Sequence, residues 1–165
     1  ETRCAGAESF ARTGVKVPAV ELYRALASDP RCPERLLPSI AAGLGCLGQY
    51  DDALGVCLDL TRRALDQADA YFGVAFYQRR LGHGLEVAIP WVMKAHELSP
   101  DVPLYRISLA AMLDHVGRHE EAYDLLLDVD LDGISCRCCL RRMSTIFLSV
   151  GDVGRGLACE AKSKH

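Results

Sequence analysis

The chain has 165 residues, 50% of them hydrophobic and 25% charged, with a formal net charge of −3. That composition is too apolar for a disordered segment, and the weak negative charge disfavours nucleic acid as a partner. Eighteen consecutive apolar residues occur nowhere, so no membrane span is expected.

Leu and Ala are prominent and no run alternates as a strand would, so the expected class is all-α. Gly14, Gly48, Gly82, Gly117 and Gly151 recur at separations of 34, 34, 35 and 34. Ala19, Ala53, Ala88, Ala122 and Gly156 follow at 34, 35, 34 and 34. A period of this size marks stacked helical hairpins. A single domain of about five units is expected, at approximately 1–33, 34–67, 68–102, 103–136 and 137–165.

The first unit retains Phe10, Gly14, Ala19, Tyr23 and Leu26 but lacks its front, and Pro18 suits a first helical turn. In the second, from Glu34, residues Leu37, Ile40, Ala41 and Leu44 form one apolar stripe. Gly48 then supplies a left-handed cap. Asp51 or Asp52 is expected to cap the next helix, whose buried face is Ala53, Val56, Cys57 and Leu60. The third unit repeats this with Tyr71, Val74, Ala75 and Gln78, then Gly82, then Ala88, Val92 and Ala95. Its extra residue falls in the turn Gly82-His83-Gly84, and Pro90 lies near the start of its second helix, where a first-turn proline is tolerated. The fourth reads Arg106, Leu109, Ala110 and Leu113, then Gly117, Ala122 and Leu126. The fifth reads Leu140, Met143, Ser144 and Phe147, then Gly151 and Gly156.

A small residue midway along each first helix (Ala41, Ala75, Ala110, Ser144), a glycine at the turn and a small residue opening the second helix resemble the tetratricopeptide repeat family. Pro100 in "KAHELSP" looks like the family's repeat end. Gln78 and Arg106 depart from it, standing where it prefers bulky apolar or aromatic residues. Ser144 and Gly156 make the last unit the least typical. The resemblance covers almost the whole chain and implies a right-handed α-α superhelix, a solenoid of antiparallel hairpins. A Sel1-like array is a related alternative.

Eight cysteines occur. Cys136-Arg137-Cys138-Cys139 is the densest cluster. On a helix Cys136 and Cys139 would share a face, with Cys159 on the helix that follows, and the adjacent arginines would lower thiol pKa. A soft metal on Cys136, Cys138, Cys139 and Cys159 is weighed below structural thiols and below a disulfide. A core of this size does not need disulfides, which slightly favours a cytoplasmic setting. His115 and His119 have helical metal spacing, but Gly117 between them is expected to end the helix. Asp51, Asp52, Glu120 and Glu121 open second helices, where dipole complementarity explains them. Nucleotide-binding, serine-nucleophile and zinc-protease motifs are absent from the sequence, so neither catalysis nor a cofactor is expected.

In the family the resemblance points to, first helices line a concave groove. Carried onto this chain, the candidates are Glu8, Arg12, Arg35, Phe72, Phe76, Arg79, Arg80, Asp114, His115, Arg141 and Thr145. Aromatics with arginines suit a protein or peptide partner, although Phe72 and Phe76 also fit simple packing between repeats. The family's carboxylate clamp for chaperone tails needs Asn, and the chain has none. The expected function is a non-catalytic binding scaffold. The alternatives are an accessory segment of a larger enzyme or secretion assembly, and a thiol or metal sensor at Cys136–Cys139. Because the chain opens with Glu1, an excised or processed product is expected. The face Ala19–Leu26 is then expected to be poorly covered and able to pair with a second copy.

Overall fold

A computed structural model describes Ala7 and residues 16–164. The helices are α1 (Lys16–Ala27), α2 (Leu37–Cys46), α3 (Tyr50–Arg63), α4 (Ala68–Arg80), α5 (Leu85–Leu98), α6 (Pro103–His115), α7 (His119–Asp124), α8 (Arg137–Ser149) and α9 (Val153–Ser163). Single 3-10 turns lie at Glu34–Leu36 and Leu131–Gly133. Among the described residues there is no strand, and no helix is long and apolar enough to cross a membrane. The fold is an all-α helical repeat. Two compact units divide the chain, Glu1–Trp91 and Val92–His165.

Each turn predicted from a glycine is built the same way. Gly48, Gly82, Gly117 and Gly151 have φ of 79, 84, 84 and 84°, a region that costs a residue with a Cβ about 1–2 kcal/mol. The residue after each glycine donates its amide five positions back around the helix end: Gln49 to Leu44, His83 to Gln78, Arg118 to Leu113 and Asp152 to Phe147. The glycine amides close the inner bonds, to Gly45, Arg79, Asp114 and Leu148. These are Schellman caps, which satisfy the carbonyls a helix end leaves open. Gly14 lies outside the described residues. Gly48→Ala should cost about 1 kcal/mol, whereas Gly55→Ala should add about 0.5–1 kcal/mol. Gly55 is exposed within α3, and a Cβ there meets nothing within 4 Å; helix propensity alone decides its sign. Urea unfolding of the two variants reads the opposed shifts.

In the unit through Trp91, α2 is sandwiched between two tyrosines. A Cβ on Gly43 would collide with the Tyr23 ring, and one on Gly45 would lie 2.6 Å from the Tyr77 hydroxyl. That hydroxyl donates to the Ala41 carbonyl at 2.9 Å, buried. The Gly43-Leu44-Gly45 run therefore exists for close helix approach. Leu37, Ile40, Ala41, Leu44, Ala53, Val56, Cys57 and Leu60 are all buried as their spacing predicts.

In the unit from Val92, Ala122 and Leu126 are fully buried, as are the α8 residues Leu140, Met143 and Phe147. The two residues that made the last repeat atypical pair with each other: the Ser144 hydroxyl donates to the Gly156 carbonyl at 2.9 Å. Without a side chain at 156, α8 and α9 come close enough for that bond.

Several expectations are corrected. Ala19, Val20, Tyr23 and Leu26 are buried within this chain, the last three in a core that Ala7 joins. The premise for pairing a second copy there is not met. Neither Asp51 nor Asp52 caps α3: its N-cap is Gln49, with no side-chain cap bond. Asp52 instead accepts from Arg24 Nε at 2.8 Å. The cap that does form in α9 is Asp152, accepting from the Arg155 amide at 3.1 Å. Pro90 lies five residues after Leu85, in the second turn of α5 rather than the first, where a proline removes one helical hydrogen bond. Helix α7 stops at Asp124, two residues short of Leu126. Asp124, Asp128, Asp130 and Asp132 follow one another there, and acids near a helix C-terminus oppose its dipole. Asp130 instead accepts from the Asp132 amide and opens a 3-10 turn.

Candidate functional site

Helices α2, α3 and α4 leave an open recess of about 250 Å³ in the first unit. Leu37, Pro38 and Ala41 line it from α2, Cys57 and Leu60 from α3, and Asp69, Ala70, Phe72, Gly73, Phe76 and Tyr77 from α4. Burial pushes the Cys57 thiol up to about 12. The Tyr77 hydroxyl also rises to about 12, first through burial and then through its thiol and phenol neighbours. Both groups are neutral at physiological pH, so neither adds charge to the recess. Gly73 admits the Cys57 side chain, whose Sγ would lie 2.6 Å from any Cβ at that position.

The lip is aromatic and cationic. Phe76 is 43% exposed, unusual for a residue next to a core. The Arg80 guanidinium lies 5.3 Å from the Phe76 ring centre and 5.8 Å from that of Tyr50, in cation–π range of both. Tyr50 stacks on Tyr77 at 6.4 Å. Arg79 is exposed beside Arg80, and both stand in the last turn of α4, where they complement the helix dipole. The recess thus offers a mostly apolar slot with one carboxylate, Asp69, in its lining, a protonated Cys57 thiol within it and the Arg80 and Arg79 charges at its lip.

Of the candidate residues, this unit gathers Phe72, Phe76 and Arg80, with Arg79 adjacent. Arg35 sits on the 3-10 turn before α2, outside the recess lining. Glu8 and Arg12 lie outside the described residues. Pro38, Tyr50 and Tyr77 belong to the recess and its lip but carried no signal in the repeat pattern. Tyr50, two residues after the turn glycine, could have been found only by asking what lies beside the next repeat's first helix.

In the second unit, His115 ends α6 and is exposed. His119 lies beyond the Gly117 turn, its Nδ1 2.7 Å from Asp114 Oδ1, so the two histidines do not act as a helical pair. Arg141 and Thr145 line a depression of about 520 Å³ with Cys138, Arg142, Leu148 and Glu160; His115 is not in that lining. Another recess, of about 370 Å³, is lined by Met93, Arg106, Leu109, Leu113, Arg118 and Glu121. Gln78 and Arg106, the two departures from the repeat pattern, each leave a buried atom without a partner in the chain (Oε1 and Nε), as does His96 at Nδ1. Burial, then the Arg106 charge, lowers the His96 pKa.

The thiol cluster is real but differs from its expected form. Cys136 is the N-cap of α8, not a helical residue, and Cys138 joins it. The three sulfurs of Cys136, Cys138 and Cys139 all lie within 4.8 Å of one another, Cys136 and Cys138 at 2.9 Å. Cys159 is fully buried on α9 and outside the group. Cys136 is lowered to about 7, chiefly by the Cys138 and Cys139 thiols and then by the backbone amides of the first turn. Arginines are not the cause. Burial pushes Cys139 up to about 12.

No family model matches the chain, and no curated protein matches it. Solved structures do. The chain is similar to PilF of Pseudomonas aeruginosa, with a TM-score of 0.77 and 20% identity over 98% of this chain and 73% of that one. It is similar to MamA, at 0.71 and 16% over 95% and 91%. It is also similar to YrrB, a TPR protein with an unusual peptide-binding site, at 0.69 and 13% over 98% and 82%. At these identities the likeness establishes the fold, that of tetratricopeptide repeat proteins.

Proposed function

We propose that this chain is a non-catalytic scaffold that binds a peptide or protein segment at the α2–α4 recess. The observation that carries the reading is Phe76, 43% exposed on the lip of an apolar slot with Arg80 over its ring. Exposed aromatic surface beside arginine is the composition of binding hot spots. The slot would take an apolar side chain of an incoming segment, and Arg80 and Arg79 would take a carboxylate beside it. The fold shared with YrrB, which has a peptide-binding site, supports this use of the surface. Arg35, in the same unit, remains a candidate for a further contact.

Selection from a displayed random-peptide library tests it. Enriched peptides should combine an apolar anchor with an acidic residue. Phe76→Ala should weaken a selected peptide by about tenfold or more, and Arg80→Glu should do so most strongly at low salt. Enrichment of no consensus, or peptides indifferent to both variants, would overturn the reading.

A further inference from the structure

We propose that Cys136, Cys138 and Cys139 form a binding site for a single soft, thiophilic metal ion, held by three thiolates at the N-terminus of α8. The three sulfurs lie mutually within 4.8 Å, Cys136 and Cys138 at 2.9 Å, and metal–thiolate bonds of about 2.3 Å hold their sulfurs about 3.7–4.0 Å apart. Opening the Cys136–Cys138 pair by about an ångström, with a smaller movement of Cys139, would place all three in bonding range. Convergence follows from the backbone. Cys136 is the N-cap, with extended φ and ψ of −75 and 110°, the conformation that turns an N-cap side chain back over the first helical turn. Cys138 and Cys139 occupy that turn.

The two sides of the cluster differ in a way a metal site needs. Cys139 is 4% exposed and anchors the group from the core, while Cys136 and Cys138 are exposed and leave an entry path. Three thiolates bring three negative charges. The helix N-terminus offsets part of this, and Arg141 and Arg142 border the same depression as Cys138. Binding displaces the thiol protons, so up to three are released per ion. Among the described residues no His or carboxylate joins the sulfurs. An all-sulfur set selects soft ions over Mg2+, Ca2+ or Mn2+. Three thiolates suffice for Cu+, whereas tetrahedral Zn2+ would add one solvent ligand.

The test is anaerobic titration of the reduced full chain with Zn2+ and, separately, with Cu+, each against a competing chelator, followed by thiolate-to-metal absorption and proton release. One equivalent of either ion should saturate the chain. Cys136→Ser and Cys138→Ser, both at exposed positions, should each weaken it by at least about a hundredfold. Cys46→Ser, exposed on α2, should leave it unchanged. Tighter retention of Cu+ would assign a trigonal site, and saturation by Zn2+ alone a tetrahedral one with solvent. Failure of both ions to bind at one equivalent, or binding unaffected by both serine variants, would overturn the assignment.

Discussion

Phe147→Ala is expected to destabilise the unit from Val92 by about 3–5 kcal/mol. The ring is 1% exposed and does more than fill volume. Tyr123 meets it edge-on at 6.0 Å, and the Arg155 guanidinium lies 5.7 Å from its centre. Tyr123 in turn donates to Asp152 Oδ2 at 3.2 Å, and Asp152 caps α9. Removing the ring thus empties a cavity and loosens the side chains that hold the cap. Phe147→Leu keeps most of the volume and should cost well under half as much. Hydrogen exchange resolved by residue should show the loss in residues 92–165. A Phe147→Ala loss below about 1 kcal/mol would mean that α8 and α9 repack without it.

Gly43→Ala presents two opposing effects whose magnitudes decide the sign. Alanine is the better helix former by about 1 kcal/mol. The new Cβ, however, would occupy the space of the Tyr23 ring, which is 1% exposed and has no route to solvent within the core. Overpacking of this kind costs about 1–3 kcal/mol, so the net effect should be destabilising by up to about 2 kcal/mol. Steric origin has a specific signature. In a Tyr23→Ala background the collision is gone, and Gly43→Ala should become stabilising by about 0.5–1 kcal/mol. Chemical unfolding of the four proteins in this cycle measures the reversal; the same sign in both backgrounds would refute the packing account.

The thiols show where local reasoning stops. Adjacent cysteines are visible in any reading of residues 136–139. Which of them converge depends on the helix beginning at Arg137, because that makes Cys136 a cap and folds its side chain over Cys138 and Cys139. Starting the helix one residue earlier pairs Cys136 with Cys139 and recruits Cys159, as the spacing alone suggested. Asp52 is a similar case. Its place in the first turn of α3 reads as a cap, yet its partner is Arg24, 28 residues away.

The sequence by itself determined the repeat, the turns and the buried stripes. Those are constraints on single residues and on neighbours three or four apart: a positive φ that suits glycine, a contact that tolerates only a small residue, a face that must be apolar. Only the tertiary structure decided that α2 lies between Tyr23 and Tyr77. It also decided that Phe72, Phe76, Tyr50 and Arg80 meet around one recess, and that Ser144 and Gly156 answer each other across two helices. Those pairings depend on how closely neighbouring helices approach, which many side chains set together and no single segment encodes.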